Sequence, residues 1–409
     1  MTQEFKNMLH IFGCGARGTK VNIINCNNLS RIREMALNQE CWDIVYCALR
    51  EDIEKGNIKI PPEIAAQLEK TFVQNIARNI QRVEFNKNII KGLQNEGVES
   101  CTLKGTTVAR LYNMPEARIS SDTDIIINPK LENKAIAFLE RNGYTIKPYD
   151  KYDHHIKATH KIGGLLEVHV AYHSVHTKDM LLDGEIEYNE EYRTLDDGTV
   201  TQGINDGLLY LTFHIVKHFI NDCMGIRQIM DLLLYMKEYR SQIDWDRYNA
   251  LLIKLKYDKF ISVIKGIGVK YWGFRFDDAT DSDEEMNAIL DEIELGGLFG
   301  TNEENREVFY HRYTALRNKK NKLAYMIKKY TKGESNFIKL LFPSLKNVSE
   351  YCPYVLKMPY LLPVAWMHRF IIKAKGIISG KGQYVLLDTD KTEGMIERRM
   401  EIIRKLDML

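Results

Sequence analysis

Between Asp122 and Ile127 the chain reads Asp-Thr-Asp-Ile-Ile-Ile, and no other stretch restricts the fold as much. The β-branched run favours a strand, where side chains two apart share a face. Asp122 and Asp124 therefore project together and Thr123 points away. Two carboxylates this close repel, and burying them unpaired is costly. A hard divalent cation is the usual partner for such a pair. A second alternating stretch offers a third acid: Leu166, Val168 and Val170 form an apolar face, and Glu167 and His169 share the other. Upstream, Lys104-Gly105-Thr106 combines a flexible turn, a cation and a hydroxyl, which suit a phosphate group. Together these residues make a metal-and-phosphate site.

The same residues resemble the nucleotidyltransferase superfamily that includes DNA polymerase beta. More narrowly they are similar to a bacterial group of uncharacterised nucleotidyltransferases. Gly105-Thr106 match the turn that opens a helix, Asp122 and Asp124 the Asp-x-Asp pair, and Glu167 the third acid. Leu103-Lys104-Gly105, Arg118 four residues before the pair, and Glu167-Val168-His169 match the narrower group. Thr106 stands where the superfamily more often has Ser, and Ala117 where the group tends to have a bulkier residue.

The resemblance implies a small mixed β-sheet in an α/β (α+β) nucleotidyltransferase core, flanked by helical regions. It implies Mg²⁺ (or Mn²⁺) held by Asp122, Asp124 and Glu167, with Glu167 alternatively accepting the proton of an attacking hydroxyl. Lys104, Gly105, Thr106 and Arg118 would hold the phosphates of a nucleoside triphosphate such as ATP. Arg118 has a second reading, in which it pairs with the two Asp residues when metal is absent. The reaction implied moves a nucleoside monophosphate to an acceptor hydroxyl and releases pyrophosphate. A nucleotide-binding module of the same fold without turnover is the alternative. His169 is read as a residue that orients a ligand rather than binding the metal.

Charge bears on the acceptor. The 409-residue chain carries 57 Lys+Arg against 55 Asp+Glu, a net charge of +2. A polymerase-type reading wants a basic groove, and neither the balance nor the core segment shows one. The expected acceptor is a small-molecule, sugar or protein hydroxyl, and nucleic acid is disfavoured. Seven cysteines, scattered at 14, 26, 41, 47, 101, 223 and 352 without a CxxC, fit reduced thiols better than a disulfide framework. No apolar run of about 18 residues is present, and no secretory leader is read at the start. A soluble, cytoplasmic protein is expected.

Four regions follow from the pattern along the chain. Residues 1–96 read as mainly helical, 97–184 as the α/β core, 185–275 as a helical domain covering the cleft, and 276–409 as a helical, basic-aromatic region. Within the first, Gly13-Cys14-Gly15-Ala16-Arg17-Gly18 satisfies the dinucleotide-binding pattern, with Leu9 to Phe12 as a short strand before it. That pattern needs a helix after it and a second strand ending in an acid. The chain reads instead as a strand over 20–25 and a turn over 26–30, so a glycine-rich loop is expected. Ser30 is the expected cap of the next helix, and Pro61-Pro62 should open a long helix ended by Gly97.

In the third region His214 and His218 share a helical face, and Arg227 and Asp231 repeat that spacing. The His pair lacks the HExxH form of a metal helix. The resemblance implies that both pairs sit on helices over the cleft and orient substrate, with structural hydrogen bonding as the other reading. Residues 277–285 are acidic and read as a solvated loop or helix start. Residues 343–382 mix apolar, aromatic and basic side chains. They read as a helical subdomain or as a surface making peripheral contact with a membrane or partner.

Overall fold

Alternation along β2 (Asp122–Ile127) sets the two faces of the sheet. The computed structural model describes residues 1–21, 28–147, 155–173, 186–221, 224–296, 361–366 and 398–409. Ile125 and Ile127 pack with Leu166 and Val168 from β5 (Gly164–His169) into one apolar layer. Ile90 and Leu93 of α4 (Pro62–Asn95) and Phe138 and Leu139 of α6 (Glu132–Arg141) close that layer. Burying one such side chain contributes roughly 1.5–3 kcal/mol. A one-residue slip of β2 would exchange these isoleucines for the two Asp carboxylates, so the register is strongly fixed.

The described residues form a seven-stranded mixed sheet in the order β3-β4-β5-β2-β1-β7-β6. Its other strands are β1 (Ser100–Thr102), β3 (Thr145–Ile146), β4 (His155–His160), β6 (Arg193–Thr194) and β7 (Val200–Thr201). β2 runs parallel to β5 and antiparallel to β1. β4 and β5 form an antiparallel hairpin. This is the mixed α/β architecture expected from the sequence. The β6–β7 hairpin is an addition, made of strands too short and polar to show an alternation.

Asn86 ties α4 to the sheet. Its amide donates to Thr123 Oγ1 and to the Gly163 carbonyl, each at 2.9 Å, and accepts from the Tyr144 hydroxyl at 2.6 Å. Thr123 thus points away from the two Asp side chains, and α4 begins at the second of the paired prolines as expected.

The glycine motif corrects the sequence reading. Residues 3–17 form a helix, α1 (Gln3–Arg17), capped by the Thr2 side chain, and no strand or loop lies there. Its apolar side chains Phe5, Met8, Leu9 and Phe12 recur at helical spacing and are buried. A Cβ at Gly13 would collide with the Trp272 ring, and one at Gly15 with the Ile44 carbonyl. The glycines serve close helix packing. Two further helices, α2 (Leu29–Asn38) and α3 (Trp42–Glu54), follow. Asn28, not Ser30, precedes the first, and its side chain makes no capping bond. Most of the strand and turn expected over 20–30 lies outside the described residues.

The short α5 (Thr106–Ala109) follows β1. Beyond the sheet come α7 (Ile204–Asn221), α8 (Ile226–Glu238), α9 (Trp245–Lys254), α10 (Asp258–Trp272) and α11 (Asp283–Gly296). α11 begins inside the acidic stretch, with Asp283, Glu284 and Glu285 in its first turn, where the helix dipole favours them. Among the described residues no helix is long and apolar enough to cross a membrane. Apart from 361–366, the stretch 343–382 lies outside the described residues.

Candidate metal centre

The polar face of β2 meets the polar face of β5 in register. Asp122 pairs with Leu165, Asp124 with Glu167, and Ile126 with His169. On the far side, Lys157 lies opposite Glu167 and His155 opposite His169. Period-two alternation therefore gathers Asp122, Asp124, Glu167, His169, His155 and Lys157 on one side of the sheet. His155 and Lys157 were not singled out from the sequence, although the alternation of His155-Ile156-Lys157-Ala158 carries the signal.

Asp124 lies at the centre and is 2% exposed. His169 Nε2 is 3.0 Å from its Oδ1, and Lys104 Nζ is 3.4 Å from its Oδ2. Burial alone would raise the Asp124 carboxyl, but Lys104 and His169 outweigh it and hold it well below the ordinary carboxylate range. Glu167 differs. Burial, and then the Asp124 carboxylate, push it upward. One ligand atom each from Asp124, Glu167 and His169 lie within 4.8 Å of one another, a grouping that could hold a metal ion. Asp122 flanks this group and accepts a hydrogen bond from Ser120 Oγ at 2.9 Å.

Lys104 is delivered by the end of β1. The Leu103 amide donates to the Asp124 carbonyl at 2.9 Å, which sets the next side chain beside the carboxylates. Burial would lower the Lys104 ammonium, yet Asp124, Asp122 and Glu167 together hold it above its ordinary value. Gly105 turns the chain into α5 with φ of +56°, a conformation that strains residues bearing a Cβ. Thr106 opens that helix.

α7 covers the same face. Tyr210 packs with Cys101, Leu103 and Ile126. Burial and the three carboxylates raise its hydroxyl well above the ordinary range. His214 lies one turn on, its ring 4.4 Å from that of His218. Burial, then Lys104 and His218, push His214 well below its usual value, so it is neutral at pH 7.

Arg118 takes its partner outside this group, although the Asp122 charge also acts on it. Its Nε donates to Asp231 Oδ1 at 2.8 Å and its Nη2 to Asp231 Oδ2, so its partner is neither Asp122 nor Asp124. The Tyr112 hydroxyl donates to the same Asp231 oxygen at 2.7 Å. One turn earlier on α8, Arg227 donates to the carbonyls of Ile119 and Glu40. From α4, Asn79 donates to the Glu116 carbonyl and Arg82 to that of Ser120. The loop leading into β2 is thus held from both sides. Arg227 and Asp231 fasten this loop, and Asn79, Arg82 and Ser120 join them as residues the sequence did not single out.

A family model described as "Uncharacterised nucleotidyltransferase" matches residues 29–265. No curated protein and no solved structure matches the chain. The matched span contains the centre and the loop clamp.

Proposed function

The chain belongs to this family of uncharacterised nucleotidyltransferases, and on that premise we propose that it moves a nucleoside monophosphate from a triphosphate to a hydroxyl acceptor, releasing pyrophosphate. The observation that carries this reading is the register of Asp124 beside Glu167, with Lys104 at the same carboxylate. The donor set fits a divalent cation, because carboxylate oxygens converge there and one of them is already almost wholly desolvated. Asp122, Asp124 and Glu167 would hold Mg²⁺ or Mn²⁺. Such an ion, when bound, neutralises phosphate oxygens and lowers the cost of charge build-up on the leaving group.

The remaining steps fall to the chain itself. Lys104, at the mouth of the turn, places a cation where the triphosphate would lie and offsets its charge as pyrophosphate departs. Gly105 lets the backbone approach the phosphates closely, with the Thr106 hydroxyl beside it. Glu167, whose carboxyl is raised above its ordinary value by burial, is in the alternative role suited to accept the acceptor's proton. Arg118 acts one step removed: paired with Asp231, it fixes the loop that positions Ser120 and Asp122. Tyr210 and His214 wall the site from α7, a neutral, ring-lined surface beside the charged one. The acceptor remains a small-molecule, sugar or protein hydroxyl, because a net charge of +2 provides no sequence-wide attraction for nucleic acid.

The test is a thermal-shift screen of the four triphosphates with Mg²⁺, followed by an assay for pyrophosphate release. We expect a Mg²⁺-dependent rise in melting temperature with at least one triphosphate. Asp122→Asn combined with Asp124→Asn should abolish it. An unchanged rise in that double variant would remove the site assignment.

A further inference from the structure

We infer that His169 is itself a metal ligand through Nε2, and that the centre therefore selects a transition cation such as Mn²⁺ over Mg²⁺. This rests on the nucleotidyltransferase reading of the site and specifies the ion it takes. His169 is 4% exposed, and its Nε2 faces Asp124 Oδ1 at 3.0 Å and Glu167 Oε2 at 3.9 Å. Two donors each about 2.1 Å from a shared ion stand about 3.0 Å apart when they subtend a right angle, and farther apart at wider angles. Both separations suit donors to one ion, and the Asp124 and Glu167 ligand atoms lie within 4.8 Å of each other. The other Glu167 oxygen lies 3.7 Å from His155 Nε2 and 3.8 Å from Lys157 Nζ, leaving Oε2 on the His169 side.

Asp122 is absent from this converging trio and lies on the same sheet face. A site made by Asp122 with Asp124 would be all-oxygen, whereas the trio of Asp124, Glu167 and His169 is mixed. Oxygen donors suit Mg²⁺ and Mn²⁺ alike, whereas an imidazole nitrogen favours transition ions and is poorly suited to Mg²⁺. Asp124 belongs to both sets. A ligating Nε2 is unprotonated, so the neutral ring then carries its proton on Nδ1, and the hydrogen bond between His169 Nε2 and Asp124 gives way to a bond from each to the ion. The ring needs little movement, because it already faces the carboxylate.

Pulsed electron paramagnetic resonance of Mn²⁺ bound to the full chain, with and without a triphosphate, tests the inference directly. The expected spectrum contains the coupling of a directly coordinated ¹⁴N. It should vanish in His169→Gln and persist in His155→Gln. Competition between the two cations should favour Mn²⁺ by at least about tenfold in the wild type, with much of that preference lost in His169→Gln. Bound Mn²⁺ without nitrogen coupling overturns the inference, even if His169→Gln does not fold, and leaves nucleotidyl transfer standing. A wild-type protein that binds neither cation, alone or with any triphosphate, overturns both.

Discussion

Arg118 and Asp231 form a two-pronged ion pair in which each side chain is only 6% exposed. Breaking such a pair by removing one partner leaves an uncompensated buried charge and costs about 3–5 kcal/mol. Asp231→Ala should lower unfolding free energy by that amount in urea titrations. Replacing both partners, as in Arg118→Met with Asp231→Leu, should cost less, because no charge is then stranded. If Asp231→Ala keeps triphosphate affinity and the double variant, folded, loses it, Arg118 itself reaches the phosphates; losses in both place its effect in the loop.

Lys104 separates phosphate binding from support of the fold. Its ammonium stands 3.4 Å from Asp124 with 17% of the side chain exposed, so a ligand can reach it. Lys104→Ala should weaken triphosphate binding by roughly 1–3 kcal/mol, the range for hydrogen bonds to charged groups. Affinity for the bare nucleoside, measured by the same calorimetry, should barely move. Equal losses for both ligands would assign Lys104 to holding Asp124 in place and nothing more.

That β2 and β5 lie side by side was implied only by the resemblance. The shared face of Asp122 with Asp124, and that of Glu167 with His169, was legible in the sequence because strand alternation is local. The long α4 was legible for the same reason, from paired prolines to Gly97. Arg118 was not. Its partner lies 113 residues away, and nothing near Arg118 in the sequence distinguishes a phosphate ligand from a buried ion pair. The spacing of Arg227 and Asp231 showed a shared face, but not that the face grips the loop before β2. The β6–β7 hairpin offered a turn glycine, Gly198, with φ of +80°, but two-residue strands give no period to detect.

Gly15 gives the same lesson a measurable form. Read locally, it belongs to a loop; in the fold it lies in α1, where a Cβ would press on the Ile44 backbone carbonyl. Backbone cannot rotate aside as a side chain can. Gly15→Ala should therefore destabilise by about 1–3 kcal/mol or more, as overpacked interiors do, despite the better helix propensity of Ala. A variant of unchanged or increased stability would show that the helices there are not in contact.

Glu167 allows binding, protonation and turnover to be measured apart. Burial and the Asp124 carboxylate raise its carboxyl above the ordinary value, so the folded chain holds that proton more tightly than the unfolded one. Stability should then fall as pH rises from the ordinary carboxylate range, about 4.3, through the raised value. Asp124 has the opposite sign: its stabilisation is present above the ordinary value and is lost as pH falls toward its depressed one. Glu167→Gln removes the first slope and keeps the second. With ions chelated, the variant should be the more stable protein at pH 7, and the two curves should converge toward pH 4 in urea unfolding. With Mg²⁺ and triphosphate present the comparison changes. Asp122 and Asp124 remain to hold the nucleotide-bound ion, so affinity should be mostly kept, while a neutral amide cannot take a proton from the attacking hydroxyl. Pyrophosphate release should therefore drop steeply in Glu167→Gln at nearly unchanged triphosphate affinity. Release at the wild-type rate would exclude Glu167 from the reaction, and an unaltered pH slope would show that its carboxyl is not raised.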